Sequence, residues 1–247
     1  MDERALAELE IAQVARLYGL VEARGTRHEE QEVASVGEQP MTGALHPLAS
    51  RASRLVPSMS WDELREAVGT CTACGLCKQR KQAVFGVGSE SAPWLFVGEG
   101  PGADEDEQGE PFVGQAGRLL DSMMGAVGIR RGREAYIANV VKCRPPGNRT
   151  PTLEEAAACA PFLDRQVDLI RPKLIVALGK TAAIRLLATE ASLGSLRGRV
   201  HRYRDTPLIV TYHPAYLLRN LPDKAKAWED LLFARRTLAA ATAGAIA

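Results

Sequence analysis

Four apolar runs, Trp94–Val97, Tyr136–Val141, Leu174–Leu178 and Leu208–Thr211, recur at intervals of about forty residues and constrain this chain more than anything else in it. Each has strand length, and each is continuously apolar rather than alternating, the pattern of a strand buried on both faces. Helical segments fall between them, over Gly117–Val127, Leu153–Ile170 and Thr181–Ala188, and a last one opens at Pro222 and carries Trp228, Leu231 and Leu232. Thr152 and Glu155 stand three apart as a capping box for the second of these, while Pro161 inside it predicts a kink or a split. Strands that alternate with helices in this way predict an α/β fold, a parallel sheet covered on both faces.

The folded part is expected to begin at about residue 59, where Ser60-Trp-Asp-Glu63 makes another capping box and the helix it starts stops at Gly69. Before it, residues 2–24 have helical spacing of Leu6, Leu9, Val14, Leu17 and Val21, and residues 25–58 lose periodicity and fill with Gly, Ser, Glu and Pro. Two parts are therefore expected: an extension over 1–58, helix plus linker, and a domain over 59–247. The extension is either a dispensable tail or a helix that docks a protein partner.

Composition removes several classes. Five cysteines, an odd number, argue against a disulfide framework. No apolar leader follows Met1-Asp-Glu-Arg, and no apolar run approaches the ~18 residues of a membrane span. A soluble, cytoplasmic, monomeric protein with reduced thiols is the expectation. The net charge of +1 gives no global argument for nucleic acid, so any such argument must be local.

In an open α/β sheet, ligands bind beyond the carboxyl ends of the strands. Here those ends run into Gly98-Glu-Gly-Pro-Gly102, into Asn139 with Lys142–Pro151, into Gly179-Lys180, and into His213-Pro-Ala-Tyr-Leu-Leu-Arg219. Glu99, Asn139 and His213 should therefore converge. The Gly98 loop lacks the Lys-Ser/Thr ending of a phosphate loop and taken alone reads as a tight turn. Asp104–Glu107 reads as a solvated acidic rim, and Phe112 either packs in the core or stacks on a planar ligand. Lys142, Arg144 and Arg149 cluster in one loop. Arg197, Arg199, Arg202 and Arg204 form a second basic run, expected near the site and suited to phosphate. Cys71, Cys74, Cys143 and Cys159 make a four-thiolate set whose chemistry suits zinc or an iron–sulfur cluster, and spacing does not choose between them. Cys77 either replaces Cys74 as ligand or packs.

Together these motifs resemble the family 4, iron–sulfur, uracil-DNA glycosylases over Cys71 to Leu232. The resemblance is carried by Cys71-x-x-Cys74-x-Leu76 with Arg80, by Gly98–Gly102 with Glu105-Asp106, by Gly109-x-Pro-Phe-Val-Gly114, by Asn139–Pro151 with Cys159, and by Thr211-Tyr-His-Pro-Ala-Tyr-Leu-Leu-Arg219. A related branch that bonds covalently to DNA has a histidine in the Pro146–Arg149 loop; this chain has none there. The long N-terminal extension and Cys77 depart from the family core.

The resemblance implies a three-layer α/β/α sandwich around a four-stranded parallel sheet, a 4Fe–4S cluster on Cys71, Cys74, Cys143 and Cys159, and hydrolysis of the uracil–deoxyribose bond in uracil-containing DNA. It implies a uracil pocket of Gly98, Glu99, Gly100, Glu105, Phe112, Asn139 and His213. Asn139 would read the base, Phe112 would stack on it, and His213 would donate to O2. Glu99 would position water or offset the sugar cation, and Glu105 would crowd the methyl of thymine. Lys142, Arg144, Arg149 and Arg219 would meet DNA, with Leu217 as a wedge in the base stack. Competing readings are a non-catalytic DNA-binding protein stapled by metal, which the intact Asn139, Phe112 and His213 set disfavours, and a sibling glycosylase of broader base preference, which only assay separates.

Overall fold

The computed structural model of the protein describes residues 56–243; the helix expected over 2–24 and nearly all of the linker lie outside the described residues. The first described element is a single turn over Val56–Ser58 whose Val56 is buried in the core. The elements then run α1 (Trp61–Gly69), β1 (Val87–Gly88), β2 (Trp94–Gly98), α2 (Ala103–Gln108), α3 (Gln115–Ala126), β3 (Ala135–Asn139), α4 (Leu153–Ile170), β4 (Leu174–Leu178), α5 (Lys180–Leu187), α6 (Leu193–Leu196), β5 (His201–Tyr203), β6 (Thr206–Thr211), α7 (Pro214–Leu217) and α8 (Asp223–Thr242). Both expected capping boxes form: Ser60 Oγ accepts from Glu63 N and Thr152 Oγ1 from Glu155 N, with each glutamate reaching back. Pro161 does not split α4, which runs unbroken from Leu153 to Ile170.

The four apolar runs are the four parallel strands, in the order β3-β2-β4-β6. Burial on both faces follows from period-two geometry. Leu95, Val97, Tyr136, Ala138, Ile175, Ala177, Leu208 and Val210 face a layer containing α1, α4 and α5. Trp94, Phe96, Ala135, Ile137, Leu174, Val176 and Ile209 face the other, with α3 and α8. The three-layer α/β/α sandwich is thus as expected. The sheet itself is larger: β1 and β5 add antiparallel edges, making six strands in a mixed sheet. Both edges are too short, at two and three residues, to leave a periodic signature. No helix among the described residues is long and apolar enough to cross a membrane.

Register aligns the loop-bearing ends. Gly98 pairs with Asn139, and Leu178 with Thr211. Backbone bonding continues past the strands, from Val140 N to Gly98 O (2.9 Å), Val141 N to Glu99 O (3.2 Å) and Gly179 N to Thr211 O (2.8 Å). Glu99, Asn139 and His213 accordingly emerge at one edge.

Leu163, fully buried on α4, holds that helix to the sheet. Leu163→Ala is expected to cost about 2–5 kcal/mol of stability, read as a lower urea midpoint with unchanged slope.

Candidate functional site

A cavity of about 430 Å³ opens at the carboxyl ends of β2, β3 and β6, within the size range of small-molecule sites. Glu99, Gly100, Glu105, Phe112, Asn139, Arg149, His213 and Arg219 line it, so most of the expected pocket residues converge. Gly98 stands behind the wall.

Asn139 is the last residue of β3 and is buried; its Oδ1 has no hydrogen-bond partner within the protein. A buried acceptor left unpaired costs about 1–3 kcal/mol, so an N–H from a ligand in the cavity is the partner this atom lacks. Phe112 lines the same cavity. Its backbone is left-handed (φ 57°), a strained setting for an aromatic residue. Arg131 holds that strain in place by donating to Pro111 O and Phe112 O, both at 2.8 Å, while its Nε pairs with Asp121 at 2.9 Å. Sequence reasoning missed Arg131, because nothing near it in the chain marks what it reaches.

Glu105 binds the loops together. Its carboxylate accepts from Gly102 N (3.0 Å), Val113 N (3.0 Å) and Gly114 N (3.2 Å), joining the β2 loop to the Phe112 loop. The acidic rim expected over Asp104–Glu107 is only partly a rim: Asp106 is buried and accepts from Lys81 N at 2.9 Å. Glu99 accepts a hydrogen bond from Thr181 Oγ1 on α5, a second partner that sequence did not indicate. The β4 loop thus contributes to the site through Thr181, not Lys180.

His213 caps α7 and sits against Gly179, where an added Cβ would come within 2.9 Å of the histidine Cβ and where φ is 88°. Its Nδ1 accepts from Ala215 N at 3.2 Å, which leaves the proton on Nε2 and makes that nitrogen a donor. Burial, reinforced by the Arg219 charge, pushes its pKa down to about 4. The imidazole is therefore neutral at pH 7. Its ring lies 5.5 Å from that of Phe112, tilted by 31°.

Two of the five expected DNA contacts fail on burial. Lys142 is 1% exposed, and its Nζ donates to Asn139 O (3.0 Å) and Gln166 Oε1 (2.6 Å), so it cannot reach a phosphate. Leu217 is also 1% exposed and packs into the core with α3 and α8. The neighbouring positions are the exposed apolar ones instead: Tyr216 on α7 and Leu218 just after it, at 37% and 38%. Arg144 donates to Asn148 Oδ1 at 2.7 Å, and Arg149 forms a two-pronged pair with Glu155 at 2.7 and 2.8 Å. Arg219 is exposed and has no ion-pair partner among the described residues.

Only part of the second basic run lies near the site: Arg197 stacks over the ring of Tyr212, the residue before His213, 4.6 Å from its centroid. Arg197 pairs with Asp230 (2.7 Å), and Arg204 with Asp168. Arg202 lines a different cavity with Pro172, Lys173 and Thr206, at the amino ends of the parallel strands. Because β5 runs antiparallel to β6, its turn is carried to the far end of the sheet.

Among the described residues no group of three or more His, Cys, Asp or Glu side chains stands in a metal-ligating arrangement. The sulfurs are nonetheless neighbours: Cys143 interacts electrostatically with Cys71 and Cys74, and Cys159 with Cys71 and Cys143. Donors already face three of them, Arg80 Nη1 at 2.9 Å from Cys143 Sγ, Lys142 N at 3.3 Å from Cys159 Sγ and Ala73 N at 3.5 Å from Cys71 Sγ. Burial pushes the Cys159 thiol up to about 12 and the Cys143 and Cys74 thiols upward. Sulfur ligands ringed by N–H donors suit a thiolate-bound centre.

The description of the uracil DNA glycosylase superfamily matches residues 85–232. The type-4 uracil-DNA glycosylase of Pyrobaculum aerophilum is 42% identical over 181 residues, 70% of this chain and 92% of that one. That of Thermotoga maritima is 49% identical over 157 residues, 63% and 81% of the two chains, and that of Archaeoglobus fulgidus 44% over 167 residues, 64% and 83%.

The depressed pKa of His213 has a sign that can be checked. Its folded value, about 4, lies below its ordinary 6.5, so the stability it contributes is present above pH 6.5 and is lost as pH falls toward 4. The histidine ring resonances, followed by NMR, should titrate near pH 4. A midpoint near 6.5 would contradict the desolvated, neutral assignment.

Proposed function

Because the chain belongs to the uracil DNA glycosylase superfamily, and within it to the type-4 uracil-DNA glycosylases, we propose that it removes uracil from DNA by hydrolysing the N-glycosidic bond, at the cavity that Asn139, Phe112 and His213 line. One observation carries the assignment to this cavity: the buried, unpartnered Oδ1 of Asn139. Uracil offers N3–H to that acceptor and O4 to the amide donor beside it. Cytosine offers the reverse pattern and would face acceptor with acceptor.

A base inside a duplex is out of reach, so the nucleotide must swing into the cavity at an unstacking cost of a few kcal/mol. Phe112, fixed by Arg131, presents an aromatic face to the ring. Glu105, tied to three backbone N–H groups, forms a stiff wall near which the methyl of thymine would be crowded. As the bond breaks, charge gathers on uracil O2, and the neutral His213 offers Nε2–H to it. A preorganised donor of this kind contributes about 3–4 kcal/mol. Glu99, oriented by Thr181, is the carboxylate available to orient water or to offset positive charge on the sugar. Arg149 and Arg219 at the cavity, and Arg144 in the same loop as Arg149, suit phosphates. Leu218 and Tyr216, not Leu217, are the apolar side chains exposed to fill the space the base vacates.

Cys71, Cys74, Cys143 and Cys159 would hold a 4Fe–4S cluster, whose contribution when bound is structural, stapling the α1–β1 segment to the β3–α4 loop. Arg80 and the N–H groups of Ala73 and Lys142 would neutralise its sulfurs.

His213→Ala is expected to lower single-turnover excision from a uracil-containing duplex roughly 10²–10³-fold while leaving affinity for that duplex nearly unchanged. Wild-type rate in this variant would remove His213 from the chemistry.

A further inference from the structure

Lys142 is among the largest fully buried side chains in the protein, and no carboxylate pairs with it among the described residues. An ammonium taken out of water is costly unless an opposite charge and hydrogen bonds replace its hydration. Two of its protons are placed, on Asn139 O at 3.0 Å and on Gln166 Oε1 at 2.6 Å. Gln166 is itself held, donating to Phe85 O at 2.9 Å and to Tyr136 Oη at 3.4 Å. The backbone N–H of Lys142 itself meets Cys159 Sγ at 3.3 Å, its carbonyl accepts from Val84 N at 2.7 Å, and the next residue is Cys143. The groups that act electrostatically on this ammonium are Cys159, which the residue's own N–H meets, and Cys143, the next residue in the chain.

We propose that Lys142 is a positioning residue whose ammonium, neutralised by a cluster on Cys143 and Cys159, grips the carbonyl of Asn139 and so couples the metal centre to the reading of uracil. The proposal rests on the cluster reading given above. Removing the charge leaves the Asn139 carbonyl without its donor at the point where β3 ends, so the amide that faces the cavity loses its anchor. It also removes a cation next to the cluster, and the reduced cluster, carrying the additional negative charge, is the form that suffers.

Wild-type protein is first assayed for iron and brown colour. A colourless, iron-free protein overturns the cluster reading and the coupling with it. With iron present, Lys142→Met should shift the cluster's reduction potential to a more negative value by voltammetry. It should also weaken binding to a duplex carrying 2′-fluoro-2′-deoxyuridine about tenfold, with binding to the uracil-free duplex unchanged. Gln166→Glu adds a negative charge beside the ammonium yet keeps the ammonium on Asn139 O. It should shift the potential in the same direction and retain selective binding. If Lys142→Met does not fold, the potential of Gln166→Glu decides alone. An iron-loaded Lys142→Met protein with wild-type potential and wild-type selectivity overturns the coupling and leaves the cluster reading intact; so does an unshifted potential in Gln166→Glu.

Discussion

The site depends on the absence of a side chain at Gly98. This residue ends β2 opposite Asn139, and a Cβ built there would fall 2.6 Å from Phe112 Cζ and closer still to Asn139 Oδ1. Only bare backbone lets the amide at the end of one strand and the aromatic ring of a distant loop come together over the end of another. The remaining supports follow from that contact. Phe112 reaches it with a left-handed backbone, which Arg131 secures through two carbonyls, and Glu105 ties the same loop to the chain leaving β2. Strain at the pocket is thus balanced by hydrogen bonds made outside it.

Electrostatics divide the site into two characters. On the cavity side the imidazole is neutral: His213 gives up its proton through burial and takes an N–H on Nδ1. Behind β3 the protein places charge instead: the Lys142 ammonium is buried there, and the half-buried Arg80 guanidinium meets Cys143 Sγ. Asn139 stands between the two, its side chain in the cavity and its carbonyl on Lys142.

Much of this was legible in the sequence. The four central strands announced themselves because burial on both faces demands unbroken apolar runs, and the convergence of Glu99, Asn139 and His213 followed from parallel topology alone. The edge strands were not legible, since β1 and β5 are too short for a period. Charge misled in two places. Lys142 reads as solvent-seeking by residue type, but its partners, Gln166 and the cysteines, lie elsewhere in the chain or on its backbone. The arginine run was expected near the site, and it divides: Arg197 stacks over Tyr212 with its charge taken up by Asp230, while antiparallel β5 carries Arg202 and Arg204 to the opposite end. Leu217 ends a helix of four residues and Leu218 follows it, and only packing against α3 and α8 decides which is buried. Arg131 and Thr181 were invisible for the same reason: each acts on a residue far away in sequence.

The central claim is that Asn139 Oδ1 accepts the N3–H of uracil. Free uracil and free 3-methyluracil differ at that hydrogen, and their inhibition constants against excision of uracil from a duplex compare them directly. Loss of a hydrogen bond to a buried acceptor, with a methyl forced against it, should weaken 3-methyluracil by at least about tenfold relative to uracil. Equal inhibition by the two bases would contradict the claim.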